Sequence, residues 1–189
     1  KVFPIILFII YIVIAFTFRS YSQPLLLLAM VPFSLIGVAW GHWIHGFPIN
    51  VLSFLGIIAL IGIVVNDGLV FISKLNIYLK EGHKFDEAII LAGKSRFRAI
   101  FLTSATTIAG LSPLIFETSR QAQFLIPMAI AIAYGIGIAT ILTLIMLPML
   151  LSVGNTIKVN TLWLWEGKKP SKESVERAIK ELESESQDV

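Results

Sequence analysis

The sequence predicts an all-α, polytopic membrane helix bundle of five transmembrane helices plus an amphipathic helix at the cytoplasmic surface. Three observations predict it. First, of 189 residues 56% are hydrophobic and only 14% charged, a balance that a water-soluble domain does not carry. Second, the apolar residues fall in five runs long enough to cross a hydrocarbon core of about 30 Å. Third, the charges lie between the runs and divide unevenly between the two sides. There is no cysteine, which excludes disulfides and leaves the redox compartment unread. The net charge of +3 comes without a basic stripe of interleaved aromatics, so nothing points to nucleic acid.

The first span covers Val2 to Phe18. A Lys before an apolar run resembles a signal peptide, but the run is long and Arg19-Ser-Tyr-Ser-Gln23 is not a small-residue cleavage site. Because the chain enters a span at once from Lys1, a further upstream part is expected. Pro24 suits the first turn of the second span, which runs to about Trp43 with Pro32 as a tolerated kink. Trp40 and Trp43 fit an interfacial belt, and Gly46-Phe-Pro48 is a tight turn. The third span runs from Asn50 to about Leu79. Its Gly56, Gly62 and Gly68 mark close helix approach. Phe85, Ala88, Ile89 and Ala92 lie at helical spacing, which predicts the short surface helix. The fourth span, from Ala99 to about Phe116, is rich in hydroxyls, and the fifth runs from Phe124 to about Val153. Residues 1–155 form the membrane unit. Residues 156–189 form a polar tail with a short solvated helix striped by Val175, Ile179 and Leu182. Trp163 and Trp165 rest at the interface, and the extreme end is expected to be disordered.

Five spans put segments 19–23, 74–98 and 158–189 on one side. That side holds 13 of the 15 basic residues, Lys1 and Arg120 being the others. The positive-inside rule then places the tail in the cytoplasm and the N-terminus outside.

Asp67 is the one acid within a span. Lys74 lies seven residues on, about 10 Å along a helix, on the same face but out of contact. An uncompensated carboxylate in hydrocarbon is expensive, so such acids face a protein interior or a wet path. Alternating between a dry environment and one near a cation lets a carboxylate load a proton on one side and release it on the other. The plainer reading is a structural acid bonded to Ser or Thr of a neighbouring helix. Thr103, Thr106, Thr107 and Gly110 share one helical face. They either line a path or are satisfied by their own backbone. His42 and His45 are i, i+3 with no acid or cysteine nearby, which fits interfacial histidines better than a metal site. The four methionines form no ladder. An intramembrane aspartyl protease needs two carboxylates and this chain offers one, so no enzyme is expected. There is no phosphate-binding glycine loop, and no cofactor is expected.

Several motifs then agree in order. They include Asn66-Asp-Gly-Leu-Val70 after Gly62-Ile-Val-Val65, Glu87-Ala-Ile-Ile-Leu-Ala-Gly-Lys-Ser-Arg-Phe-Arg98 and Leu102-Thr-Ser-Ala-Thr-Thr-Ile-Ala-Gly-Leu-Ser-Pro113. Downstream are Ser119-Arg-Gln-Ala-Gln-Phe-Leu-Ile-Pro-Met128 and Leu147-Pro148; upstream are Tyr21-Ser-Gln-Pro24 and Val31-Pro-Phe-Ser-Leu-Ile-Gly37. Over residues 1–155 the chain resembles the resistance-nodulation-division (RND) transporters, and within them the second repeat, helices eight to twelve. The resemblance implies a proton-driven, trimeric efflux pump of the inner membrane, working with a periplasmic adaptor and an outer-membrane channel. It also implies a missing N-terminal repeat and missing periplasmic domains. By position it places Asp67 and Asn66 in or beside the proton relay, Asn66 standing where the family often has Lys. Thr103, Ser104 and Thr107 look like the hydroxyl part of that network. A scaffold, or a secretion or lipid-handling relative with a structural Asp67, is the alternative.

Overall fold

The computed structural model describes residues 2–18, 20, 22–167 and 170–187; Lys1, Arg19, Tyr21, Lys168 and Lys169, which entered the charge count and the motifs, lie outside them, as do the last two residues of the tail. The helices in chain order are α1 (Val2–Phe18), α2 (Ser22–Leu28), α3 (Val31–His45), α4 (Val51–Lys80), α5 (Phe85–Ile115), α6 (Arg120–Gln123), α7 (Ile126–Glu166) and α8 (Arg177–Gln187). No strand occurs among the described residues. Among the described residues four stretches are long and apolar enough to cross a membrane, with α2 and α3 together as the first of them, and α1 is apolar but shorter.

The expected second span is interrupted. Pro32 has no N–H to give to the Leu28 carbonyl, so the chain makes a turn at Ala29 and Met30, with the Met30 N–H bonded to the Leu27 carbonyl at 3.0 Å. The helix then restarts with its proline in the first turn. Gly46, at φ 68°, closes α3 in the left-handed conformation that glycine tolerates.

The expected surface helix and fourth span are one continuous helix, α5. Phe85, Ala88, Ile89 and Ala92 are buried as the spacing predicts, but in the protein core beside α4 rather than on a lipid surface. With that stripe covered by protein and no proline before Pro113, nothing breaks the helix at residue 98. The fifth span also continues past its expected end. α7 runs for 41 residues, about 60 Å at helical rise, until Gly167 terminates it at φ 69°.

α7 is the hub, packed against α3, α4 and α5. Its approach to α4 is close at Gly56, where a Cβ would stand 2.8 Å from the Met128 carbonyl oxygen. Gly68 is met by the Leu27 side chain of α2. Gly62 departs from the expected pattern: nothing lies within 4 Å of a Cβ there.

The tail folds back on the ends of α4, α5 and α7. Asn155 is buried and its amide donates to the Lys172 carbonyl and to Glu176 Oε1, both at 2.7 Å. Lys158 pairs with Glu176 at 3.1 Å, Lys172 with Asp86 at 2.7 Å and Lys80 with Glu181 at 3.5 Å. Val175 is buried and Ile179 packs on the core, so the tail helix is attached rather than free in solvent.

Candidate functional site

α4 carries Asp67, and its geometry begins at its first turn. Asn50 caps the helix: its Oδ1 accepts from the Ser53 N–H at 3.0 Å, and Ser53 Oγ accepts from the Asn50 N–H at 3.2 Å. Ser53 also meets His42 Nε2 of α3 at 2.8 Å, while His42 Nδ1 lies 3.0 Å from the Val38 carbonyl oxygen. His45 Nε2 sits 3.0 Å from Tyr134 Oη on α7. The two histidines therefore fix α3 to α4 and to α7. Among the described residues no group of three His, Cys, Asp or Glu could hold a metal.

Four turns on, Asp67 is half-buried and Asn66 exposed. Neither side chain hydrogen-bonds to a described residue. One side of α4 is packed, with Leu60, Ile61, Val64, Val65, Phe71 and Ile72 in the core. On the other side Val51, Leu55, Ala59, Gly62, Asn66, Ser73 and Ile77 form an exposed stripe with three- and four-residue steps, Val70 bridging its one wider gap. Lys74 turns over the Tyr78 ring, 5.8 Å from its centre.

The predicted hydroxyls divide into two sets. Thr103 and Thr106 are exposed and Thr107 half-buried. Thr103 donates to the Ala99 carbonyl at 2.9 Å and Thr107 to the Thr103 carbonyl at 2.8 Å, each satisfied by its own helix. Ser104 is buried and hydrogen-bonds across to Thr140 on α7. So Thr103 and Asn66 lie on uncovered faces, Asp67 and Thr107 are half-covered, and Ser104 is turned into the α5–α7 contact. Sequence reasoning missed Thr140 and the buried Gln23, whose amide reaches Asn76 of α4 at 3.5 Å. Gln23 Oε1 and Arg96 Nε are buried without a partner among the described residues. A polar residue at the very start of an apolar run was the available signal for Gln23.

Residues 1–153 match the model of the AcrB/AcrD/AcrF family. This chain belongs to that family. The RND resemblance read from the motifs is thereby established for everything up to the last third of α7. Among curated relatives, the cobalt-zinc-cadmium resistance protein CzcA of Cupriavidus metallidurans is 32% identical over 149 residues, 79% of this chain and 14% of the relative. The multidrug resistance protein MdtC of Erwinia tasmaniensis is 28% identical over 156 residues, 82% of this chain and 15% of the relative. A crystal structure of a heavy metal efflux pump superposes with a TM-score of 0.72 at 28% identity, covering 80% of this chain and 15% of that one. The chain thus spans about one seventh of the length of the family members it matches. The matched residues stop before the folded-back tail.

Proposed function

We propose that this chain is the C-terminal transmembrane half, helices eight to twelve, of a proton-driven RND exporter that exchanges substrate for protons across the inner membrane. The reading rests on one observation above all: Asp67 is half-buried on α4, beside an exposed stripe carrying Ala59, Gly62, Asn66 and Ser73 that no described residue covers. Small residues allow close helix approach, so the stripe suits a further helix of the same protein. A carboxylate at that seam changes environment whenever the seam moves, which is what proton coupling needs. Asp67 is the proton carrier or its immediate partner, with Asn66 beside it, Thr103 on the exposed face of α5 and the half-buried Thr107 at that face's edge. Ser104 supports that face from behind by holding α5 to α7.

The rest of the pump supplies the N-terminal repeat, the periplasmic domains, the trimer, and the contacts with a periplasmic adaptor and an outer-membrane channel. The basic residues put the tail in the cytoplasm. Relatives bear metal-resistance and multidrug-resistance names alike, so the cargo is set by parts outside this chain.

The test is Asp67→Asn in the full-length protein, with export, membrane abundance and trimer state measured together. Export lost by 100-fold or so at normal abundance is the expected result, on the order of what removal of a group essential to proton transfer produces. Unchanged export, or loss explained wholly by lower abundance, would make Asp67 structural and favour a scaffold, secretion or lipid-handling role.

A further inference from the structure

α5 and α7 leave a groove between them on the side away from the hydroxyl face. Its larger part, of about 440 Å³, is lined by Phe97, Phe101, Ala105, Ile108, Ile141 and Ile145, with the Ser104–Thr140 pair also lining it. A second part of about 290 Å³ continues it past Gly137 toward Tyr134 and His45. At 100° per residue, Phe97, Phe101 and Ile108 point roughly opposite to Thr103, Thr106 and Gly110 on α5. Helices that pack on the hydroxyl face therefore leave this groove facing hydrocarbon. Phe97 and Phe101 stack with planes 3° apart and centroids 6.1 Å apart, forming one wall, and both are exposed.

The tail-side mouth of the groove is basic. Lys94 lies three residues before Phe97, Arg98 three before Phe101, and both are exposed. Among the described residues neither side chain has an ion pair or hydrogen bond, whereas Lys80, Lys158, Lys172 and Arg177 all have acidic partners. Lys94 and Arg98 are thus unengaged cations at the membrane surface, on the two turns that carry Phe97 and Phe101 beside the apolar slot.

We infer that the α5–α7 groove is a binding site for an anionic phospholipid of the tail-side leaflet. Lys94 and Arg98 hold the headgroup phosphate, and one acyl chain lies along Phe97, Phe101, Ile141 and Ile145. Charge supplies the selectivity, because basic pockets between membrane helices recruit anionic headgroups. The slot supplies the position, because a lipid held only by surface charge has no reason to align with one helix pair. The inference needs only the membrane-spanning fold and stands apart from the proton-coupling reading.

The probe is the full-length protein reconstituted in phosphatidylcholine vesicles doped with phosphatidylglycerol, with retained lipids counted by native mass spectrometry. The expected result is preferential retention of phosphatidylglycerol. That preference falls roughly 5-fold for Lys94→Gln or Arg98→Gln and roughly 30-fold for the double variant. Gly137→Leu fills the slot instead. A Cβ at Gly137 meets only Ile108 Cδ1, at 3.7 Å, so the side chain starts without a backbone clash and extends into the slot, and the lipid is lost although both cations remain, with an unchanged melting temperature as the check on folding. Equal retention of the two lipids by the native protein overturns the inference. So does a phosphatidylglycerol preference that survives Gly137→Leu, since the cations would then act as general surface charge.

Discussion

At Gly37 an added Cβ would stand 2.4 Å from the Tyr134 carbonyl oxygen, and at Gly68 it would stand 2.2 Å from Leu27 Cδ2. The two distances are alike and their consequences are not. A backbone carbonyl inside a packed helix moves only with its helix, while the end of a leucine side chain swings to another rotamer. Gly62, with open space around it, represents the third case. In thermal melts of the full-length protein in detergent, Gly37→Ala is expected to cost about 1–3 kcal/mol and Gly68→Ala to cost less. In this chain's surroundings Gly62→Ala gains about 0.5–1 kcal/mol of helix propensity. Gly37→Ala and Gly68→Ala variants that melt with the native protein would show that these glycines do not set the helix spacing. The regular six-residue spacing of Gly56, Gly62 and Gly68 was legible in the sequence, but which of the three is a contact was not, because that depends on the direction each faces in the bundle. The same limit applies to the hydroxyls. Their number marked α5, and only packing separates Ser104, bonded to Thr140, from the back-bonded threonines.

The start of α5 shows how an element depends on residues far away in sequence. Lys84 stands at the N-cap and offers no side-chain bond. The open Phe85 N–H is taken by Glu173 Oε1, 2.9 Å away in the tail, and a carboxylate at a helix N-terminus also suits the helix dipole. The bond from Phe85 holds the Glu173 carboxyl below its ordinary range, against the opposing effect of burial. A carboxyl lowered by folding stabilises the fold fully above the usual glutamate range. The contribution is lost as pH falls through the lowered value. Glu173→Gln is therefore expected to lower stability by about 0.5–1 kcal/mol at neutral pH and to leave it unchanged in acid, with melting curves at the two conditions as the check. A difference that stays constant with pH would remove the charge from the account. None of this capping was legible in the tail sequence, where the Val175–Ile179–Leu182 stripe signalled a helix and nothing signalled its partner. Asn155, a lone amide late in an apolar run, was the visible clue that a polar group would arrive from elsewhere.

Across the whole molecule, the fold class was legible because bilayer thickness and charge asymmetry act on composition alone. The joins were less so: α2 and α3 separate at Ala29 and Met30, the surface segment fuses into α5, and α7 overruns its expected end, since packing decides whether a helix stops. What the sequence did indicate is that Asp67 needs more protein around it. The stripe from Val51 to Ile77 and the Thr103–Thr106 face are exposed together, and much of α5 is uncovered. Asn66 and the threonines form a surface better suited to a helix than to lipid, because interhelical contact through small and hydrogen-bonding residues supplies what hydrocarbon does not. Expressed alone, the chain is therefore expected to self-associate through α4 and α5, giving at least a dimer by light scattering in mild detergent. Asn66→Leu, which makes the stripe lipid-like, weakens that association. Co-expression with the remainder of the protein replaces it by a complex of the two parts, because both compete for one face. A monodisperse monomer with residue 66 freely reached by lipid would show that the face needs no partner, and the case for a half-pump built around Asp67 would lose its structural support.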